Sequence, residues 1–294
     1  MANLRDIRNR IRSVKNTGQI TRAMQLVAAS KMKRAQDKAL QNRPYALLLA
    51  DLIALVQKQA GGNDRIDHPL FNPRPVERRG ILVVSTDKGL CGGLNANLFK
   101  QITAVEGESA FVAVGKKASQ FLSRTKRQLL ASFSVSDAVR FQEIRPVLQL
   151  LRESYESGEI DTIEVLYPRF VNTMVQEPVL RKVAPVTDLA EKLSEIRAHY
   201  NINLAEAQDD REYILEPSYK EMIGELAEMY LRREIFHMTL EAKASEHSAR
   251  MVAMKAATDN AKKLVQELTL SYNKARQAAI TQEILEISAA TMYN

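Results

Sequence analysis

The chain has no tryptophan, a single cysteine and only 6% aromatic residues. One cysteine, Cys91, excludes an internal disulfide framework and any cysteine-rich metal site. So few aromatic rings leave little stacking surface for single-stranded nucleic acid. No apolar run approaches the ~20 residues that a membrane-spanning helix needs. The start, MANLRDIRNRIRSVKN, lacks the apolar core of a signal peptide, so the chain is expected on the cytosolic side. Proline is missing from residues 1–43 and 218–294, and glycine there is confined to Gly18 and Gly224. All nine prolines lie between Pro44 and Pro217. Because proline costs about 3 kcal/mol inside a helix, this layout predicts two long helices around a compact middle.

What is present fits a folded, soluble chain. The 294 residues are 45% apolar and 26% charged, enough for one large or two moderate domains. The net charge of +7 is unevenly placed. Residues 1–43 hold eleven Lys and Arg against Asp6 and Asp37, a local charge of +9 that leaves −2 for the rest. Such a segment serves as a solvated helix face, a nucleic-acid or membrane contact, or a surface for an acidic protein.

Leu4, Ile7, Ile11 and Val14 step by three, four and three. Near the other end, Leu240, Ala244, His247, Met251, Met254, Thr258, Ala261, Val265, Leu268, Tyr272, Ala275 and Ala279 alternate steps of four and three. That spacing is the coiled-coil period, and small residues in the seam permit close approach. His247 and Thr258 are its polar exceptions, expected to set register. A single helix over residues 3–58 would span ~84 Å and one over 210–288 ~118 Å, with Pro44 a bend point in the first. Paired antiparallel, the second overhangs the first by ~30 Å around residues 270–294. An apolar overhang of that kind implies a partner that encloses it.

The middle reads as α/β. GILVVS (80–85) is a continuous apolar strand, followed by the glycine loop TDKGLCGG and a helix from Leu94. AFVAVG (110–115) leads into a helix over 116–124, and 137–158 carries a helical pattern. Residues 160–171 and 173–183 read as further strands, which suggests a mostly parallel sheet in a three-layer unit. The residues therefore read as mixed α/β: two long helices with a coiled-coil period around a central α/β domain. The expected divisions are an N-terminal helix at 1–58, a connection at 59–79, the α/β domain at 80–185, a linker at 186–209 and a C-terminal helix at 210–294.

Little of this points to catalysis. The loop around Gly89, Gly92 and Gly93 has neither dinucleotide nor P-loop spacing, and reads as a tight strand-to-helix turn. GKKA at 115–118 lacks the hydroxyl that a P-loop offers to magnesium. Cys91 reads as a small buried apolar residue. The four histidines are scattered without HExxH spacing, and Asp209-Asp210 reads as solvated. The expectation is an interaction protein with no catalytic residues, metal or cofactor of its own. A nucleotide-binding α/β enzyme with a coiled-coil arm, and a basic coiled coil on nucleic acid, stand as alternatives.

Four stretches carry a family resemblance: IRNRIRSVKNTGQITRAMQLVAASKMKRAQ (7–36), STDKGLCGGLNANLFK (85–100), SEHSARMVAMKAATDNAKKLV (245–265) and YNKARQAAITQEILEI (272–287). They resemble the γ subunits of F-type, proton-translocating ATP synthases, and the likeness runs essentially end to end. The resemblance implies a long antiparallel two-helix coiled coil with a central Rossmann-like α/β domain, acting as a central rotating shaft inside a ring of α and β subunits, whose foot stands with the ε subunit on the membrane ring of c subunits. It implies that catalysis belongs to the β subunits, that the shaft regulates ATPase activity and proton flow, and that the chain is peripheral at the cytoplasmic face of a bacterial cell membrane. By resemblance, Met24, Arg276, Gln277, Thr281 and Glu283 face the α/β ring, while Tyr213 and Glu216 face the c ring. Leu215 replaces an aromatic residue common in relatives, and Ala290-Thr291 stands where Gly-Ala is usual. No cysteine-pair insertion is present, so the thiol switch of chloroplast relatives has no counterpart here.

Overall fold

The computed structural model describes residues 4–59, 68–70, 72–186, 216 and 218–292. The chain divides into two compact units, Met1–Ser30 with Arg250–Asn294, and Lys31–Ala249.

The first unit pairs parts of two long helices, α1 (Leu4–Gln41) and the C-terminal helix α6 (Tyr219–Met292). Leu4, Ile7, Ile11, Val14, Gly18, Thr21, Gln25 and Ala28 are the covered stripe of α1, in steps of three and four. On α6 the covered stripe runs through Met254, Thr258, Ala261, Val265, Leu268, Tyr272, Ala275 and Ala279, as the periodicity predicts. Two contacts fix the antiparallel register. The hydroxyls of Thr21 and Thr258 lie 2.8 Å apart. A Cβ built on Gly18 would sit 3.3 Å from the Ala261 Cβ. That register carries Leu4 to a position opposite Ala275. Pairing therefore reaches further along α6 than the sequence suggests: the exposed tip begins at 280, not near 270. The seam continues because Leu268, Tyr272 and Ala275 still have the first turns of α1 to pack on.

A single helix to residue 58 is not what forms. α1 stops at Gln41, Asn42 is a turn, and α2 runs over Arg43–Gln59. Pro44 has no N–H for the Leu40 carbonyl, yet fits the first turn of a new helix. Asn42 serves both sides of the break. Its Nδ2 donates to Lys38 O at 3.1 Å, and its own carbonyl accepts from Ala46 N at 3.1 Å. At its start, α6 follows Pro217 with Ser218, whose Oγ accepts the Glu221 N–H at 3.3 Å as an N-cap.

The second unit holds a five-stranded sheet in the order β3-β2-β1-β4-β5. The strands are β1 (Arg78–Val84), β2 (Glu108–Val114), β3 (Gln128–Phe133), β4 (Thr162–Phe170) and β5 (Gln176–Ala184). Pairs β1–β2, β1–β4 and β2–β3 are parallel; β4–β5 is an antiparallel hairpin. Helices α3 (Leu94–Ala104), α4 (Lys116–Arg124) and α5 (Phe141–Glu156) make the crossovers. Alternation along the strands sorts the core into two layers. Ile81, Val83, Phe111 and Ala113 pack with Leu98 and Ile102 of α3 and Ala118 and Leu122 of α4. Leu82, Val84, Val112 and Val114 join a cluster with α2, α5 and residues 223–242 of α6. Each such side chain contributes roughly 1.5–3 kcal/mol on full burial. Strand β3 was not foreseen, because its six residues form a half-covered sheet edge with neither strict alternation nor a continuous apolar run.

Candidate interaction surfaces

Within the α/β unit, the GKKA stretch at 115–118 opens α4, and its helix start is filled by the protein itself. At the N-terminus of α4, Lys116 N donates to Asp87 Oδ1 at 3.0 Å, Lys117 N to Thr86 O at 3.1 Å, and Ala118 N to Ser85 Oγ at 2.8 Å. The donors a helix start offers to an anion are thus taken, and one acceptor is a carboxylate that repels phosphate. Gly115 holds φ +98°, and a Cβ there would collide with the Ser85 carbonyl, so this glycine serves a close crossing of two backbones. Cys91 is buried, with Asn95 Nδ2 3.4 Å from its sulfur.

Three carboxylates of this unit are engaged internally. Arg79 grips Glu164 through two hydrogen bonds of 3.0 and 2.5 Å. Asp161 accepts from the backbone N–H groups of Arg78 and Glu77 at 2.8 and 3.0 Å and pairs with Arg74 at 2.9 Å. The Arg78 N–H holds its carboxyl below the usual range, against a smaller opposing effect of burial, and Glu77 and Arg74 reinforce this. Glu241 on α6 goes the other way. Burial raises its pKa, against hydrogen bonds from the Phe170 N–H and the Tyr167 side chain.

The paired-helix unit turns its chemistry outward. Arg276, Gln277, Thr281 and Glu283 are all exposed. Thr281 Oγ1 donates to Gln277 O at 2.9 Å, which leaves its lone pairs facing solvent. Arg276 and Glu283 are separated by about 10 Å along the axis. Met24 on α1 is half-buried beside the seam. The helix register sets it opposite the turn around Met254, so about 30 Å of helix separates it from Arg276. These residues are therefore not gathered into a single site. Glu216 is exposed just ahead of the α6 cap, and Tyr213 lies outside the described residues.

Two apolar stripes accompany the predicted polar residues. Ile280, Ile284 and Ile287 repeat at i, i+4 and i+7 on α6, with Ile284 60% and Ile287 66% exposed. Ile20 and Val27, 61% and 54% exposed, flank Met24 with the same spacing on α1. Sequence reasoning missed the stripe on α1. Its signal was a second apolar phase running beside the seam. Arg5, Arg8, Arg10, Arg12, Lys15 and Arg22 are all exposed on the same helix. No helix among the described residues is long and apolar enough to cross a membrane, and none of their His, Cys, Asp and Glu residues cluster as a metal site.

A family model described as ATP synthase matches residues 3–292. The ATP synthase gamma chain of Opitutus terrae is 47% identical over 99% of this chain and 98% of its own length. That of Methylacidiphilum infernorum is 43% identical over the same shares. This chain belongs to the ATP synthase gamma chain family. As a gamma chain it is a non-catalytic subunit of the synthase complex. The fold agrees with solved structures. A chain of the Euglena gracilis mitochondrial ATP synthase assembly of OSCP, F1 and c-ring superposes with a TM-score of 0.66 over 98% of this chain and 93% of that chain, at 18% identity. A chain from the rotor of the same synthase gives 0.62 over 94% and 98%, at 17% identity.

Proposed function

We propose that this gamma chain is the central rotating shaft of its synthase and couples proton flow through the membrane sector to ATP synthesis in catalytic β subunits. In this reading a ring of α and β subunits encloses the paired helices. The ε subunit and the c ring meet the other end, near Tyr213 and Glu216, and the chain is peripheral at the cytoplasmic face of the bacterial membrane. The observation that carries the reading is the exposed apolar tip of α6, where Ile280, Ile284, Leu285 and Ile287 face outward on a helix that has outrun its partner. Such a surface needs an enclosing partner.

An asymmetric axle works by differential contact. A catalytic subunit is biased toward its open or closed form by the shaft face it touches, so rotation moves each subunit's equilibrium in turn. Reversing a two-state ratio from 1:99 to 99:1 takes about 5.5 kcal/mol of differential interaction. Two to four apolar side chains covered in one state and bare in the other supply that, at roughly 1.5–3 kcal/mol each. Ile280, Ile284 and Ile287 are placed for this role, with Arg276, Gln277, Thr281 and Glu283 giving polar contacts and Met24 a second level. Such contacts would also let the shaft regulate ATPase activity and proton flow.

The test is co-purification of the tagged chain with the other synthase subunits, followed by ATP-driven proton pumping in inverted vesicles. The shaft reading expects α, β, ε and c subunits in the preparation and pumping that needs this chain. A chain that purifies alone, and that nucleotide at a hundredfold excess over Kd stabilises by about 2.7 kcal/mol, would instead establish the nucleotide-binding reading.

A further inference from the structure

Residues 242–249 of α6 are all buried, unlike any other eight-residue run of that helix. Two parts of the α/β unit enclose α6 there. The β4–β5 hairpin holds one side: Ser248 Oγ donates to Thr173 O at 2.8 Å, and the Phe170 N–H donates to Glu241 Oε1 at 3.2 Å. The loop at 134–140, between β3 and α5, reaches both long helices. Lys31 of α1 meets Asp137 Oδ2 at 2.6 Å, while His247 Nε2 of α6 lies 3.5 Å from Asp137 Oδ1. Two turns along α1, Lys38 Nζ donates to the carbonyls of both Ala138 and Val139 at 2.6 Å. The same ammonium lies 5.8 Å from the centre of the Phe236 ring on α6, and that ring packs edge-on against Phe141.

Val139 gives the loop its particular character. It is fully buried with φ +44°, a conformation that a β-branched side chain resists. Its backbone N–H is held by Ser136 O at 3.0 Å, and this turn aims two successive carbonyls at one lysine. A half-exposed ion pair such as Lys31–Asp137 contributes little alone. Here two cations from α1, a histidine and an aromatic ring from α6, and a conformationally disfavoured turn converge on one short segment. Local strain of this kind persists where surrounding contacts over-determine it.

We propose that the loop at 134–140 is a mechanical latch, with Asp137, Lys31 and Lys38 as positioning residues that tie α1 and α6 to the sheet so that both helices turn with it. This rests on the shaft reading, and it adds the point inside the α/β unit at which torque passes into both helices.

The test uses the assembled complex in inverted vesicles. Lys31→Met with Lys38→Met is expected to leave the KM for ATP hydrolysis unchanged while protons pumped per ATP fall about threefold or more, a loss of coupling and not of substrate binding. Asp137→Asn is expected to be non-additive with Lys31→Met, because the two groups act as one pair. Asp137→Glu, which keeps the charge, restores the ratio. Should the double variant lose subunits, Lys31→Met alone retains the Lys38 contacts and is read in the same way. An unchanged ratio at normal subunit content, or additive effects of Lys31→Met and Asp137→Asn, overturns the latch. A wild-type complex that assembles without this chain, or that pumps equally well without it, overturns the shaft reading instead.

Discussion

The two units of this gamma chain place their ionic contacts differently. In Lys31–Ala249 several charged groups pair with one another: Arg79 with Glu164, Arg74 with Asp161, Lys243 with Glu246 at 3.0 Å. In the helix pair the covered stripe holds small and apolar residues with the Thr21–Thr258 contact, while arginines, a polar quartet and two isoleucine-bearing stripes face outward. Substitutions in the buried sheet core of the first should therefore register as stability, and those on the outer face of the second, like those in the latch at 134–140, as coupling.

The largest effect is expected from Ala261→Pro, at the seam position facing Gly18. Proline removes a helix hydrogen bond and crowds the preceding turn, at a cost of ~3 kcal/mol or more. Helicity of the pair should fall, and in vesicles proton pumping should fall well below whatever ATP hydrolysis remains. Equal pumping-to-hydrolysis ratios in mutant and wild type would separate the helix pair from coupling.

Gly115→Ala sharpens the other side of the comparison. A side chain at φ +98° against the Ser85 carbonyl should destabilise the α/β unit by about 2–3 kcal/mol, read from urea denaturation of the isolated chain. The same substitution in a complex that still assembles should leave the pumping ratio near normal. For this buried position, outside the latch in sequence, a change in coupling without a change in stability would break the distinction.

A smaller effect follows from Glu241. Burial raises its pKa from 4.5 in the folded chain, so the folded state keeps a proton that the unfolded state gives up. Its favourable contribution is complete below the unfolded pKa and is lost as pH rises through the folded one. Urea midpoints of the wild type should therefore decline more than those of Glu241→Gln as pH rises above the ordinary glutamate range. Parallel pH profiles would show that Glu241 is no less comfortable charged in the fold than in the open chain.

Periodicity made the helix pair legible. Every seam position from Met254 to Ala279 is covered, and Thr258 meets a threonine as a register-setting residue should. The break at Asn42 was only half visible, because Pro44 marks a bend but its position in a first turn permits a fresh helix. Strand β3 was hidden by being a sheet edge, where neither face demands a strict apolar pattern. The latch had no local signal. Asp137 and its partners Lys31 and His247 are separated by more than a hundred residues, and the φ of Val139 is a property of the closed loop. The polar quartet near the tip came from family resemblance. The isoleucines beside it are the part of that surface that burial reveals.

The most direct measurement is the paired reading of Ile284→Asp, in the isolated chain and in the assembled synthase. Ile284 is 60% exposed and outside the seam, so the isolated chain should keep its melting behaviour to within about 0.5 kcal/mol. In coupled vesicles the same carboxylate would be pressed into an enclosing apolar surface, and ATP synthesis should fall at least tenfold, the equivalent of about 1.4 kcal/mol of lost contact. Unchanged stability with lost synthesis is the result the account predicts. Normal synthesis rates in a complex of normal composition would contradict it, because the exposed tip of α6 would then have no partner that matters.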